Sequence, residues 1–311
     1  MPQLDRREFV ASSLALAGSA RRPDPELPII DTHQHLWDLG RFRLPWIAKG
    51  SKLDRSYLMG DYLAATKGLG VVQAVYMEVD VDPKQQLEEA EALVAICKKG
   101  DTPTRAAVIS GRPAAADFPR YIKRFEGSPH VKGLRQVLHG EGTKPGYCLE
   151  KPFVAGVRLL GELGLRYDLC LRHAELPDAV KLVSQCPDTR FVLDHCGNPD
   201  LKRHERWKKD LAALARHKNV VCKVSGIVAS APPGWRADDL APVVNHTLDT
   251  FGPDRVMFGG DWPVCLLAAT FSEWVRALKE IVSSRPAKDQ GKLFHDNAVA
   301  FYGLDTKGGR R

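Results

Sequence analysis

From Leu27 onward the chain alternates between two hydrophobic periods. Short apolar runs, many of them β-branched, fall at 28–36, 71–79, 105–110, 131–138, 166–172, 190–195, 220–228 and 255–260, the pattern of buried strands. Between most of them apolar residues recur at i, i+3 and i+4. That spacing predicts helices over Gln85–Lys99, Phe153–Leu163, Pro177–Gln185, Trp207–His217, Asp239–Phe251 and Phe271–Val282, with a last one over Lys288–Tyr302. Gly164 and Gly252 follow two predicted helix ends, where a left-handed cap favours glycine. Buried strands separated by helices pair in parallel through right-handed crossovers. Eight such units in about 275 residues predict an α/β fold, a single (β/α)8 TIM barrel with one extra C-terminal helix. A doubly wound open sheet would show a glycine-rich turn after its first strand, whereas this one ends Asp31-Thr32-His33-Gln34-His35.

Chemistry in such a barrel gathers where the strands end. The polar residues at those ends are His33 and His35, then Glu78, Ser110 and Arg112, Arg135 with His139, His173, Asp194 and His195, Lys223 and Ser225, and Asp261. His33 and His35 stand two apart on a strand, so both rings project to one side and form a candidate ligand pair. Asp261, in Phe258-Gly259-Gly260-Asp261-Trp262-Pro263, is a candidate metal ligand, general base, or both, with the glycines expected to let the backbone approach a ligand. His195 and His173 are candidate third ligands or proton carriers. Asp194 should point away from His195 and brace the barrel wall. Arg135 and Lys223 are candidate cations for a substrate carboxylate or lactone oxygen. Cys196 and Cys222 have no base partner in sequence, which argues against a thiol nucleophile.

The net charge of +7 adds little, because two of those charges lie in residues 1–22 and three in 307–311. The remainder makes no nucleic-acid footprint, and no apolar run is long enough for a membrane span. The partner these features point to is a small molecule. Seven scattered cysteines without a C-x-x-C spacing read as buried free thiols rather than a disulfide framework or zinc finger. Residues 1–22 stand apart. Asp5-Arg6-Arg7-Glu8-Phe9-Val10 and the apolar stretch Ala11–Ala20 are similar to a twin-arginine export signal, implying a periplasmic or exported protein. The alternative is a disordered tail on a cytoplasmic one. In both cases the barrel is expected over 27–304, with a basic tail at 305–311.

Taken in order, several motifs resemble the amidohydrolase superfamily, and within it the amidohydrolase-2 branch of sugar-lactone and pyrone-lactone hydrolases. They are Ile30-Asp31-Thr32-His33-Gln34-His35-Leu36-Trp37, Lys132-Gly133-Leu134-Arg135, Phe191–Pro199, Asn219–Gly226, Phe251–Pro263 and Asn297–Leu304. The resemblance implies a lactone hydrolase in which Asp261 is general base and the histidines, His33 and His35 among them, and Arg135 hold the substrate; His195 is then expected to move the proton, with Lys223 a further candidate for substrate binding. It leaves the cofactor between none and one divalent ion, zinc, on His33, His35, His173 and Asp261. A zinc-dependent decarboxylase of the same superfamily is the alternative.

Overall fold

The structure, a computed structural model, describes residues 27–140 and 142–305, so the twin-arginine-like segment and residues 306–311 of the basic tail lie outside it. The strands β1 (Ile29–Gln34), β2 (Val71–Met77), β3 (Thr104–Ser110), β4 (Val131–Val137), β5 (Arg166–Cys170), β6 (Arg190–Leu193), β7 (Val220–Val224) and β8 (Val256–Phe258) form one parallel sheet in chain order. The helices α1 (Met59–Thr66), α2 (Gln86–Lys99), α3 (Phe118–Ile122), α4 (Lys151–Glu162), α5 (Leu176–Gln185), α6 (Glu205–Ala215), α7 (Ala237–Phe251) and α8 (Phe271–Ile281) alternate with them. This is the (β/α)8 barrel that the alternating periods predict. The short helices α1 and α3 escape the pattern because each buries only two or three side chains.

Period-two alternation sorts the strand residues into two separate cores. Ile29, Tyr76, Ile109, Leu134, Tyr167, Phe191, Cys222 and Phe258 face the surrounding helices. Ile30, Val75, Met77, Val108, Val192 and Met257 fill the barrel interior, where Ala298, Phe301 and Tyr302 join them. Those last three lie on α10 (Asn297–Tyr302), the extra C-terminal helix, and the Phe301 carbonyl accepts from Arg166 at the start of β5, so α10 stoppers the N-terminal end. The single helix expected over Lys288–Tyr302 is in fact three pieces: α9 (Ala287–Gly291), a wide π-turn over Lys292–Asp296, and α10. A π-turn adds a residue and rotates the apolar face. Phe294 thereby packs on Phe258, at 5.4 Å between ring centroids, while the Asn297 amide donates to the carbonyls of Pro253 and Val256.

Beyond β8 the backbone closes onto β1. The Asp261 N–H donates to the His33 carbonyl at 2.9 Å, and the His35 N–H to the Trp262 carbonyl at 2.8 Å. Asp31, buried in this seam, accepts from the backbone N–H groups of Gly260 (2.7 Å) and His33 (3.0 Å) and from the Tyr62 hydroxyl (2.9 Å). The two glycines before Asp261 serve that closure rather than a ligand. A Cβ on Gly259 would sit 2.8 Å from the His33 Cβ, and one on Gly260 would sit 2.2 Å from Phe271 and 2.8 Å from the Asp31 carboxylate. Gly260→Ala is therefore expected to cost about 1–3 kcal/mol in urea unfolding through overpacking, against little or no loss for Gly60→Ala, which meets nothing within 4 Å.

Candidate active site

The seam delivers His33, His35 and Asp261 to the C-terminal mouth of the barrel. There a cavity of about 900 Å3 is lined by His35, Arg135, His195, Asp261 and, on its outer wall, Asp80 and Arg112. His33 lies fully buried beneath it. The Asp261 Oδ1 is 3.4 Å from His35 Nε2 and 3.7 Å from His33 Nε2. The His33 and His195 rings approach to 4.5 Å, and His195 Nδ1 meets the Ser225 hydroxyl at 3.0 Å. Both His195 (φ 54°) and Asp261 (φ 52°) hold the left-handed backbone conformation that non-glycine residues rarely adopt, a strain that persists only where surrounding bonds impose it. Around His195 the room is made by Gly226, where a Cβ would lie 2.2 Å from the ring.

Electrostatics assign the protons. His35 Nδ1 bonds the Met77 carbonyl at 2.8 Å, so that nitrogen carries a hydrogen and Nε2 is the atom that faces the Asp261 carboxylate. Burial holds His33 well below its ordinary pKa, with Asp194 only partly opposing it, so its ring is neutral at pH 7. Its Nε2 accepts from the Arg135 guanidinium at 3.2 Å, placing its hydrogen on Nδ1 towards Asp194 at 3.5 Å. Burial likewise lowers His195. The ligand atoms of His33, His35 and Asp261 lie within 4.8 Å of one another. Tetrahedral zinc with bonds of about 2.1 Å sets its ligand atoms roughly 3.4 Å apart, so this donor set fits one divalent ion once the single Nε2 lone pair of His33 is released from the Arg135 N–H.

Three expectations change. His173 stands outside the ligand group: its Nδ1 meets the Asn198 carbonyl at 3.2 Å, and it lines a neighbouring cavity with Asp200, Lys202 and Ser230. The four-ligand set therefore reduces to three residues. Lys223 is fully buried and bonds Asp168 at 2.6 Å and Asp194 at 3.2 Å, so its ammonium cannot hold substrate. Asp194 does not brace the outer wall. The regular strand ends at Leu193, the alternation rule lapses with it, and the carboxylate turns inward to take bonds from Lys223 and from Arg135 at 3.3 Å. Burial opposes the Asp194 charge, but Lys223, His33 and Arg135 together bring its pKa well below the carboxylate range.

Arg135 reaches the cavity floor with every nitrogen engaged by protein. Its Nε bonds Glu78 at 2.6 Å, one terminal nitrogen bonds the Glu78 carbonyl at 2.7 Å, and the other is shared by His33 and Asp194. It presents a fixed positive charge rather than an open fork. The residue the strand-end survey overlooked is Asp168, in the middle of β5. A carboxylate inside Tyr167-Asp168-Leu169-Cys170 demands a buried cation, and Lys223 inside Val220–Val224 demands an anion, so each signals the other.

One mouth of a parallel eight-stranded barrel thus holds His33 from β1, His35 just past it and Asp261 after β8. The amidohydrolase family model matches residues 30–304, and the chain belongs to the amidohydrolase family and is an enzyme of the hydrolase class. Among relatives it is 31% identical to an L-fucono-1,5-lactonase from Burkholderia multivorans, over 88% of this chain and 96% of that one. A crystal structure of an amidohydrolase from the same species, with bound zinc, superposes with a TM-score of 0.80 at 30% identity, covering 89% of this chain and all of that one. An amidohydrolase 2 from Bifidobacterium longum subsp. infantis gives a TM-score of 0.67 at 30% identity, with 90% and 100% covered.

Because Asp194 neutralises two buried cations and faces His33, Asp194→Asn should cost about 3–5 kcal/mol in denaturant unfolding while preserving shape. A loss below about 1 kcal/mol would show that the cluster is not charged as described.

Proposed function

We propose that the protein hydrolyses the lactone of a sugar acid or a related small hydroxy acid, with Asp261 as general base. The observation that carries this reading is the Asp261 carboxylate at the cavity floor, in left-handed backbone, almost fully buried and 3.4 Å from His35 Nε2. The lactonase name of the Burkholderia relative supports the same substrate class.

In this mechanism Asp261 takes a proton from water as its oxygen attacks the lactone carbonyl. Negative charge develops on the carbonyl oxygen above the fixed Arg135 guanidinium, which needs no reorganisation because Glu78 and Asp194 already hold it. The ring C–O bond then breaks. His195, neutral and braced by Ser225, accepts the proton from Asp261 and passes it to the departing ring oxygen, which returns the carboxylate to its starting charge. When bound at His33, His35 and Asp261, a divalent cation would supply Lewis-acid polarisation of the carbonyl. The decarboxylase alternative loses support from the position of His173, which leaves its metal set one ligand short.

The test is proton release from a panel of sugar-acid lactones, with chelator-treated and zinc-supplemented aliquots compared. Asp261→Asn should lower turnover about 10²- to 10⁴-fold with an unchanged unfolding midpoint. Near-normal turnover in that variant overturns the base assignment. Failure of the wild type on every lactone, with and without zinc, overturns the lactonase reading.

A further inference from the structure

The cavity has an outer wall that the hydrolytic steps leave unused, and it is built from the chain just past β2. Glu78 ties that wall to the floor. One carboxylate oxygen binds Arg135 at 2.6 Å, and the other accepts the backbone N–H of Asp80 at 2.7 Å. Asp80 is held at φ 48°, another non-glycine residue in left-handed backbone. In that conformation its Oδ1 accepts from Arg112, past the end of β3, at 3.0 Å, and no described residue bonds its Oδ2. Arg112 is steadied in turn by the Ser110 hydroxyl and the Gly111 carbonyl. The pair is neither sealed in nor free on the surface: the Arg112 side chain is 20% exposed and that of Asp80 31%, and both face the cavity.

Between these two residues of β2's extension, the Val79 carbonyl takes the Trp46 indole N–H at 2.7 Å. The ring is thus fixed by its polar end, yet Trp46 stays 40% exposed. Four large apolar side chains are exposed among the described residues, and two of them, Trp46 and Leu267, line this one cavity. Exposed apolar surface collected in a cleft, beside a half-open ion pair, calls for a ligand with an apolar face and a polar edge. A sugar ring has that form. Its C–H face packs on an aromatic plate, while its hydroxyls donate to a carboxylate and accept from a guanidinium.

We propose that Asp80 and Arg112 form a polyol subsite that binds adjacent hydroxyl groups of the substrate, with Trp46 as the platform for its ring. This rests on the lactone reading for what lies at the floor, and extends it by assigning specificity to the β2 extension. A carboxylate accepts two hydroxyl hydrogens at fixed spacing, so the subsite selects polyhydroxylated rings over bare ones.

The experiment compares wild type with Asp80→Asn and Trp46→Ala, using a polyhydroxylated 1,5-aldonolactone and unsubstituted δ-valerolactone. Asparagine tolerates the left-handed backbone and keeps the shape, removing only the charge. The ratio of kcat/KM for the first lactone over the second should fall about ten- to a hundredfold in Asp80→Asn, mostly through KM. Trp46→Ala should lower it in the same direction. An unchanged ratio in both variants overturns the subsite. A parallel titration calorimetry arm measures binding of the matching aldonate and of valerate to the same three proteins. Should the wild type hydrolyse neither lactone, with or without zinc, calorimetry decides the subsite alone. Aldonate affinity weakened in Asp80→Asn, with valerate unmoved, supports the subsite, and aldonate affinity unmoved overturns it.

Discussion

Closure of the barrel between β1 and the residues after β8 is the constraint on which the site depends. Asp31 secures it from inside. Burial raises the pKa of this carboxylate, and three donors, two from backbone and one from Tyr62, offset that penalty. The same seam contains the bond from the Asp261 N–H to the His33 carbonyl. Asp261 and the first histidine are therefore coupled through one backbone hydrogen bond, although 228 positions separate them in the chain. Glycines at 259 and 260 make the approach close enough, so their role is architectural even though they adjoin Asp261.

Beneath the cavity lies a buried charge cluster in which Glu78, Asp168 and Asp194 enclose Arg135 and Lys223. Burying any one of these ions alone would be prohibitive, and the cluster is tolerable only because each member has partners. Burial pulls Lys223 towards neutrality, but Asp168 and Asp194 outweigh it and keep the ammonium charged. The consequence for chemistry is preorganisation. Arg135 holds its charge at the floor without choosing among conformations, and His33 is fixed between that guanidinium and Asp194. Glu78 extends the same rigidity outward to Asp80 and the cavity rim.

Much of the fold was legible before any coordinates, because strand and helix periods differ and the barrel repeats them eight times. Two misreadings come from local rules applied where the chain is no longer regular. Asp194 was expected on the outer face because residues alternate along a strand, but β6 stops one residue earlier and His195 and Cys196 are left-handed. The last segment reads as one helix because its apolar positions keep helical spacing, and the extra residue of the π-turn leaves no breaker in the sequence. His173 and Lys223 fall near strand ends like His33, His35, His195 and Asp261, yet one turns to a side cavity and the other into the barrel.

Taken alone, the order of residues determined the eight-unit barrel, the strand-end position of His33, His35, His195 and Asp261, and the need for buried partners wherever a charge interrupts an apolar strand. Those follow from periodicity and from the cost of desolvating an ion, both of which act locally. Which charge met which partner was decided only by the tertiary structure. Arg135 became a fixed floor cation instead of an open substrate clamp because Glu78 and Asp194, from two other strands, converge on it. Side-chain pairing around a barrel depends on strand register and on the turns that follow each strand, and neither is written in the spacing of residues along any one segment.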